Sequence, residues 1–256
     1  MIAWREKFRA FAVHFVTTLA LSLASAALIF LVWFPDPFQT MLGGTKFFVL
    51  VTVCDLVLGP LTSLIIYNSK KTRRALVFDY TVVGIVQVAA FVYGVTSMAS
   101  SRPIYVAFVQ DRFEVVTAAE IDDAALESAK EPYRMRPKWG PVLVGTQRPA
   151  AAEDRNTLIF AAMEGKDRQN FPRFYVPLER NSEEIKRHAR PLEQLEKHRP
   201  EARAQIDEAV QELGLPRQRI GFMDVRSARG YWTALVDADV GRPLTYLPID
   251  AYGIGQ

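Results

Sequence analysis

The chain has 256 residues, half of them apolar, with 31 Lys/Arg against 28 Asp/Glu and a net charge of +3. The excess is local, since residues 1–99 hold eight bases and four acids while the remaining 157 hold 23 bases and 24 acids. A nucleic-acid-binding surface is therefore not expected, and the single cysteine, Cys54, excludes an intrachain disulfide and a cysteine-based metal site.

Ala10–Trp33 is an apolar run of 24 residues with one titratable side chain, His14, behind the basic tail Arg5, Lys7 and Arg9. It is long enough to cross a bilayer, which takes about 20 apolar residues. A cleavable signal peptide is the competing reading, but its apolar core is about 7–15 residues, and this run continues past the small cluster Ala24-Ser25-Ala26. Phe47–Tyr67 predicts a second span, interrupted by Asp55 and Pro60, and Leu76–Met98 a third, with Asp79 near its start and Gln87 in its middle. Basic residues in the tail and at Lys70, Lys71, Arg73 and Arg74 predict a cytoplasmic N-terminus and second loop. Three crossings then place everything after residue 99 outside, in the periplasm of a bacterium. The expected organisation is a three-helix transmembrane domain over 1–99 and a soluble α/β (α+β) domain over 100–256.

Ile104–Val116 has two β-prone runs around Gln110-Asp111, a hairpin or bent strand. Thr117 and Glu120 form a capping-box pattern that predicts a helix to about Lys130. Val142–Val144 reads as a short strand and 153–164 as a helix stopped by Gly165. Asn181 or Ser182 caps a polar helix to about His188, Pro191 restarts the chain, and a helix from about Pro200 to Leu213 ends at Gly214. Arg219–Val240 is the clearest hairpin, turning at Ser227–Gly230.

At 100° per residue each apolar run carries a stripe of small and polar residues. His14, Thr18, Ser22 and Ser25 share a face of the first; Asp55, Gly59, Thr62 and Ser63 of the second; Asp79, Gln87, Ala90 and Gly94 of the third. Such stripes let membrane helices approach closely and hydrogen-bond. Pro60 removes a donor and is expected to bend the second helix. Asp55 and Asp79 differ in depth by about 10 Å, too far for a shared-proton pair. Packing within the bundle, binding of another membrane helix, and ion or proton transport through Asp55 all remain open readings. His188 and His198 lack partners at metal-ligand spacing. No nucleophile elbow, phosphate loop or dinucleotide fingerprint occurs, so neither catalysis nor a cofactor is expected, although a membrane-anchored periplasmic enzyme stays as an alternative.

Three stretches, "CDLVLGPLTSLIIYN", "FDYTVVGIVQVAAFVYG" and "SRPIYVAFVQDRFEVVTAAEID", together resemble the TfpX/TfpZ family of type IV pilin accessory proteins. Matching positions include Trp33, Pro35, Asp55, Gly59, Pro60, Thr62, Asp79, Gln87, Gly94, Arg102, Asp111 and Arg112. The resemblance implies a non-enzymatic inner-membrane protein that assists pilus assembly by binding the major pilin, with other pilus-assembly proteins as further partners. Pilins of this class usually carry a glutamate near the cytoplasmic start of their apolar helix, and the comparable depth of His14 in the first run makes it the candidate partner of that acid.

Overall fold

The computed structural model describes residues 2–66 and 71–254; Lys70 lies outside that range, as do the side chains at some positions of the first and third helices, Asp55 among them. The chain divides into two units, Met1–Ser101 and Arg102–Gln256.

In the first unit, α1 (Ile2–Leu28) runs into a π-helical turn over Ile29–Trp33. A short α2 (Phe38–Met41) leads to α3 (Gly44–Ile66), and α4 (Arg73–Ser101) closes the unit. Helix α1 packs on α3, and α3 on α4. The burial is the reverse of a soluble protein's. Val16, Leu31, Ile65, Phe78 and Ile85 are exposed along the long helices, while Ile29, Phe34, Phe38, Met41 and Leu42 are buried in and around the connection between α1 and α3, with Met98. Gly43, at φ 67°, makes the turn into α3. A Cβ on Gly44 would already touch Met98 and Phe34. Among the described residues two helices, Lys7–Trp33 and Arg73–Ser101, are long and apolar enough to cross a membrane. Only 11% and 0% of their apolar stretches are buried, whereas the core helix of a soluble domain is mostly buried.

The second unit is built on a curled mixed sheet. Strands β1 (Pro103–Val109) and β2 (Arg112–Thr117) form the expected hairpin, with Gln110 in the left-handed region at φ 59°. Next come α5 (Asp123–Glu127), β3 (Val142–Thr146), α6 (Ala152–Met163) and a two-residue β4 (Tyr175–Val176). Helix α7 (Ser182–His188), a two-residue β5 (Arg190–Pro191), α8 (Leu192–His198) and α9 (Arg203–Leu213) lead to β6 (Ile220–Ser227), β7 (Gly230–Asp237) and β8 (Arg242–Leu247). The sheet order is β4-β3-β1-β2-β6-β7-β8, with β5 paired to β6. The β1–β3 and β2–β6 pairs are parallel and the others antiparallel.

Two apolar clusters anchor this sheet. One joins Tyr105, Val116, Ile121, Leu126, Val144 and Tyr175; the other joins Leu192, Leu195, Ile206, Phe222, Leu235 and Leu247. Tyr105, Tyr133 and Tyr175 meet edge to face, their ring centres 4.9–6.5 Å apart.

The predicted helix over 117–130 does not form as one element. The Thr117/Glu120 capping box is present, but it closes a single 3-10 turn over Ala118–Glu120. Ile121 then turns extended and is buried, and Asp122 caps α5 through the Ala125 N–H at 2.7 Å. A second good cap two residues on, with an apolar side chain drawn inward between them, outweighs helix continuation. Strands β4 and β8 and helix α8 are not foreseen by the sequence reading, which continues past Pro191 without an element there.

Gly241, at φ 73°, closes the β7–β8 turn against α7, where an added Cβ would overlap the Ser182 backbone. Gly241→Ala combines backbone strain with overpacking and is expected to destabilise the domain by about 2–5 kcal/mol. Thermal unfolding of the detergent-solubilised chain measures this; an unchanged midpoint would show that Ser182 moves aside.

Candidate helix-docking site

Three polar or small residues from three helices converge in the first unit. A Cβ on Gly59 would lie 2.5 Å from Gln87 Nε2 and 3.2 Å from His14 Nε2. Glycine therefore lets the Gln87 amide from α4 and the His14 ring from α1 lie close against α3, and a side chain there would make the Gln87 amide shift. Two grooves flank Gln87. One, between α1 and α4, has a volume of about 230 Å³ and is lined by His14, Thr18, Ser22, Gly84 and Gln87 among apolar neighbours. The other, between α3 and α4, is about 340 Å³ and includes Gly59, Thr62, Gln87 and Ala90. A Cβ on Gly84 would meet nothing within 4 Å, so the first groove is open there.

Other members of the stripes are placed differently. Asp79 pairs with Lys71 at 2.6 Å, eight residues and more than two turns from Gln87, so it belongs to the basic loop. Ser25 donates to the Leu21 carbonyl of its own helix at 2.9 Å and offers no proton across the bundle. Gly94 is half-buried on α4 and lines neither groove. Pro60 is buried, and α3 runs unbroken through it. Asp55 lies on the described course of α3, four residues before Gly59, but its side chain lies outside the described residues.

In the second unit, Arg102 and the Asp111-Arg112 pair stand at opposite ends of the β1–β2 hairpin and form no common site. Arg102 Nη1 donates to the Pro137 carbonyl at 2.7 Å. Burial lowers its pKa, and the like charge of Arg136 adds to that. Arg112 donates to Asp111 at 3.2 Å and, through Nε, to Glu114 at 2.7 Å. Glu114 is buried and has Arg226 3.8 Å away. Burial pushes its carboxyl above the ordinary range, against the opposing pull of the Arg112 hydrogen bond. A second buried pair stands on β6, where Asp224 accepts from Arg190 Nη2 at 2.6 Å and the guanidinium lies 4.3 Å from the Phe222 ring centre. Period-2 alternation in "RFEVV" sets Glu114 on the face of Arg112 and opposite Phe113 and Val115, so the Arg112 pairing is local while the burial of the acid and the approach of Arg226 are not. Among the described residues no three His, Cys, Asp or Glu side chains are grouped to hold a metal; His188 and His198 end different helices.

Residues 2–43, covering α1 and the buried connection up to Gly43, match the family model described as Fimbrial assembly protein FimB. Over 242 residues, 94% of each chain, the protein is 28% identical to the Dichelobacter nodosus fimbrial assembly protein of serogroup E1. It is 32% identical over 109 residues to the protein of serogroups C1 and C2 from the same organism, covering 83% of that relative and 43% of this chain. The chain belongs to the fimbrial assembly protein FimB family. Its relatives' alignments extend through both units, so the FimB resemblance is not confined to the apolar helices. No solved structure matches this FimB-family chain.

Because Glu114 is held above its ordinary 4.5, the folded chain takes up that proton at a higher pH than the unfolded chain. Its contribution to stability therefore grows as pH falls from the folded value to 4.5, and is lost as pH rises through the folded value. The stability difference between wild type and Glu114→Gln should shift toward wild type on acidification across that window. Parallel urea titrations check this, and a pH-independent difference would contradict it.

Proposed function

We propose that this FimB-family chain is an inner-membrane accessory protein of type IV pilus assembly, of the TfpX/TfpZ kind. It holds the apolar helix of the major pilin against the Gly59–Gln87–His14 contact while its second unit meets the pilin's globular part. In this reading α3 makes a third crossing between α1 and α4, the N-terminus is cytoplasmic, and residues 102–256 are periplasmic. The naming of the relatives as fimbrial assembly proteins over nearly the whole chain supports the process. The observation that carries the site is the pair of grooves beside Gln87 on an otherwise apolar bundle.

The physics favours a helix as the occupant. In hydrocarbon, helices associate through close packing at small residues and through hydrogen bonds that lipid cannot offer. The α1–α4 groove supplies both, with Gly84 for close approach and the His14 and Gln87 side chains as hydrogen-bonding groups. A client carboxyl entering it would find a group able to donate, and an intramembrane acid needs such a partner. Asp79, neutralised by Lys71, is not part of this contact.

Gly84→Leu is the discriminating variant, because its Cβ enters open space and the longer side chain extends into the groove. We expect the protein to accumulate normally while co-purified pilin falls about ten-fold, the equivalent of about 1.4 kcal/mol. A photoreactive residue at Thr18 should capture pilin, and one at Ile65, 82% exposed on α3, should capture much less. Wild-type pilin recovery with Gly84→Leu, or equal capture at both positions, would remove the groove from pilin binding.

A further inference from the structure

Between α5 and β3 the chain reads Arg134-Met-Arg-Pro-Lys-Trp139-Gly140, and its outward side chains are of two kinds only. Met135 and Trp139 are 72% and 73% exposed, and Arg134 and Lys138 are exposed and have no acidic partner among the described residues. The inward half of the same loop is tied down. Arg102 Nη1 donates to the Pro137 carbonyl at 2.7 Å and the Tyr105 hydroxyl to the Met135 carbonyl at 3.4 Å. Arg136 turns the other way, pairing with Asp123 at 2.6 Å and donating to the Ile121 carbonyl. The exposed methionine and tryptophan are thus presented by a braced backbone.

The brace also fixes where the loop sits in the chain's order. Arg102 is the residue directly after α4, and Tyr105 is three residues further. Parallel pairing sets Val142, itself 42% exposed, beside Tyr105. The loop is therefore held to the first residues that follow the apolar helix. An exposed tryptophan directly after a lysine, in a loop that also exposes Arg134 and Met135, is a composition that partitions into the headgroup layer: the indole sits at the boundary and the cations meet anionic lipid.

We propose that the Arg134–Val142 loop is a membrane-surface anchor, seating Met135 and Trp139 among the headgroups of an anionic bilayer and so orienting the second unit on it. This rests on the reading of α4 as a membrane span. It gives Arg102 a positioning role, since its bond to Pro137 holds the loop at the exit of that span. A protein ligand for the same patch is the competing occupant. The exposed Arg134 and Lys138, with no acidic partner among the described residues, favour lipid phosphate, and Arg102, which holds the loop, directly follows the apolar helix in the chain.

The full chain, reconstituted in vesicles of phosphatidylcholine with phosphatidylglycerol, tests this with three sole-tryptophan versions. In each, Trp4, Trp33 and Trp232 become phenylalanine. The first keeps Trp139; the other two carry Trp139→Phe with either Tyr252→Trp or Val92→Trp. Lipids brominated near the headgroup should quench Trp139 strongly and the residue-252 reporter weakly, and deeper bromines should quench the residue-92 reporter. If Trp139 is quenched no more than residue 252 while residue 92 is quenched, the anchor is wrong and the span stands. If residue 92 is not quenched either, the membrane reading fails with it. Arg134→Glu with Lys138→Glu should shift the lipid-seated population of Trp139 by about five-fold per lost charge in the anionic vesicles. No difference from wild type would overturn the role given to the cations.

Discussion

In the first unit the three long helices bring His14, Gly59 and Gln87 together, and the bare Cα of Gly59 makes the close approach possible. A Cβ at Gly59 would lie 2.5 Å from the Gln87 amide nitrogen and 3.2 Å from the His14 ring nitrogen, so the amide would have to shift. A polar side chain facing hydrocarbon is costly, so a helix that carries one needs a neighbour within reach. Glycine allows that reach without a cavity. The two flanking grooves follow from the same geometry, since an amide wedged between three helices leaves space on either side of its stem. Polar groups are thereby drawn to the middle of the bundle, while the apolar residues of the long helices face outward.

The second unit uses charge differently. Its two apolar clusters are bridged on the central strands by Arg112–Glu114 and Arg190–Asp224, both largely removed from water. Buried ion pairs of this kind contribute little net stability, because desolvation opposes the attraction. Removing one partner is costly, however; Arg190–Asp224 ties β5 to β6, while Arg112–Glu114 lies within β2. The raised carboxyls of Glu114 and Asp224 record that desolvation, which in each case outweighs the hydrogen bond from the neighbouring arginine.

Which parts were legible depended on whether the signal was local. The long helices were visible from apolar length, and the two large hairpins from β-prone runs around turn residues. The 3.6-residue period also grouped His14 with Thr18, and Gly59 with Thr62, on the faces that do line the grooves. Asp79 was grouped with Gln87 by the same arithmetic, and its carboxylate pairs with Lys71 of the basic loop, a contact the periodicity does not show. The capping box at Thr117 was also real as a local motif but gave only one turn, since the burial of Ile121 is a tertiary demand. Strands β4 and β5 have two residues each and no pattern to detect.

By itself the sequence determined the apolar helices, the switch at residue 101 to β-rich alternation, and the supply of small and polar residues on each helix. These follow from transfer free energy and backbone periodicity, which act along the chain. Only the tertiary structure decided that Gly59, Gln87 and His14 meet, that Asp79 is neutralised by Lys71, and that Arg102 braces a loop 35 residues away. The first and last of those join residues distant in the chain, through helix rotation or strand order, and neither quantity is encoded in any single segment; the Lys71–Asp79 pair spans eight residues and needs the loop's path into α4.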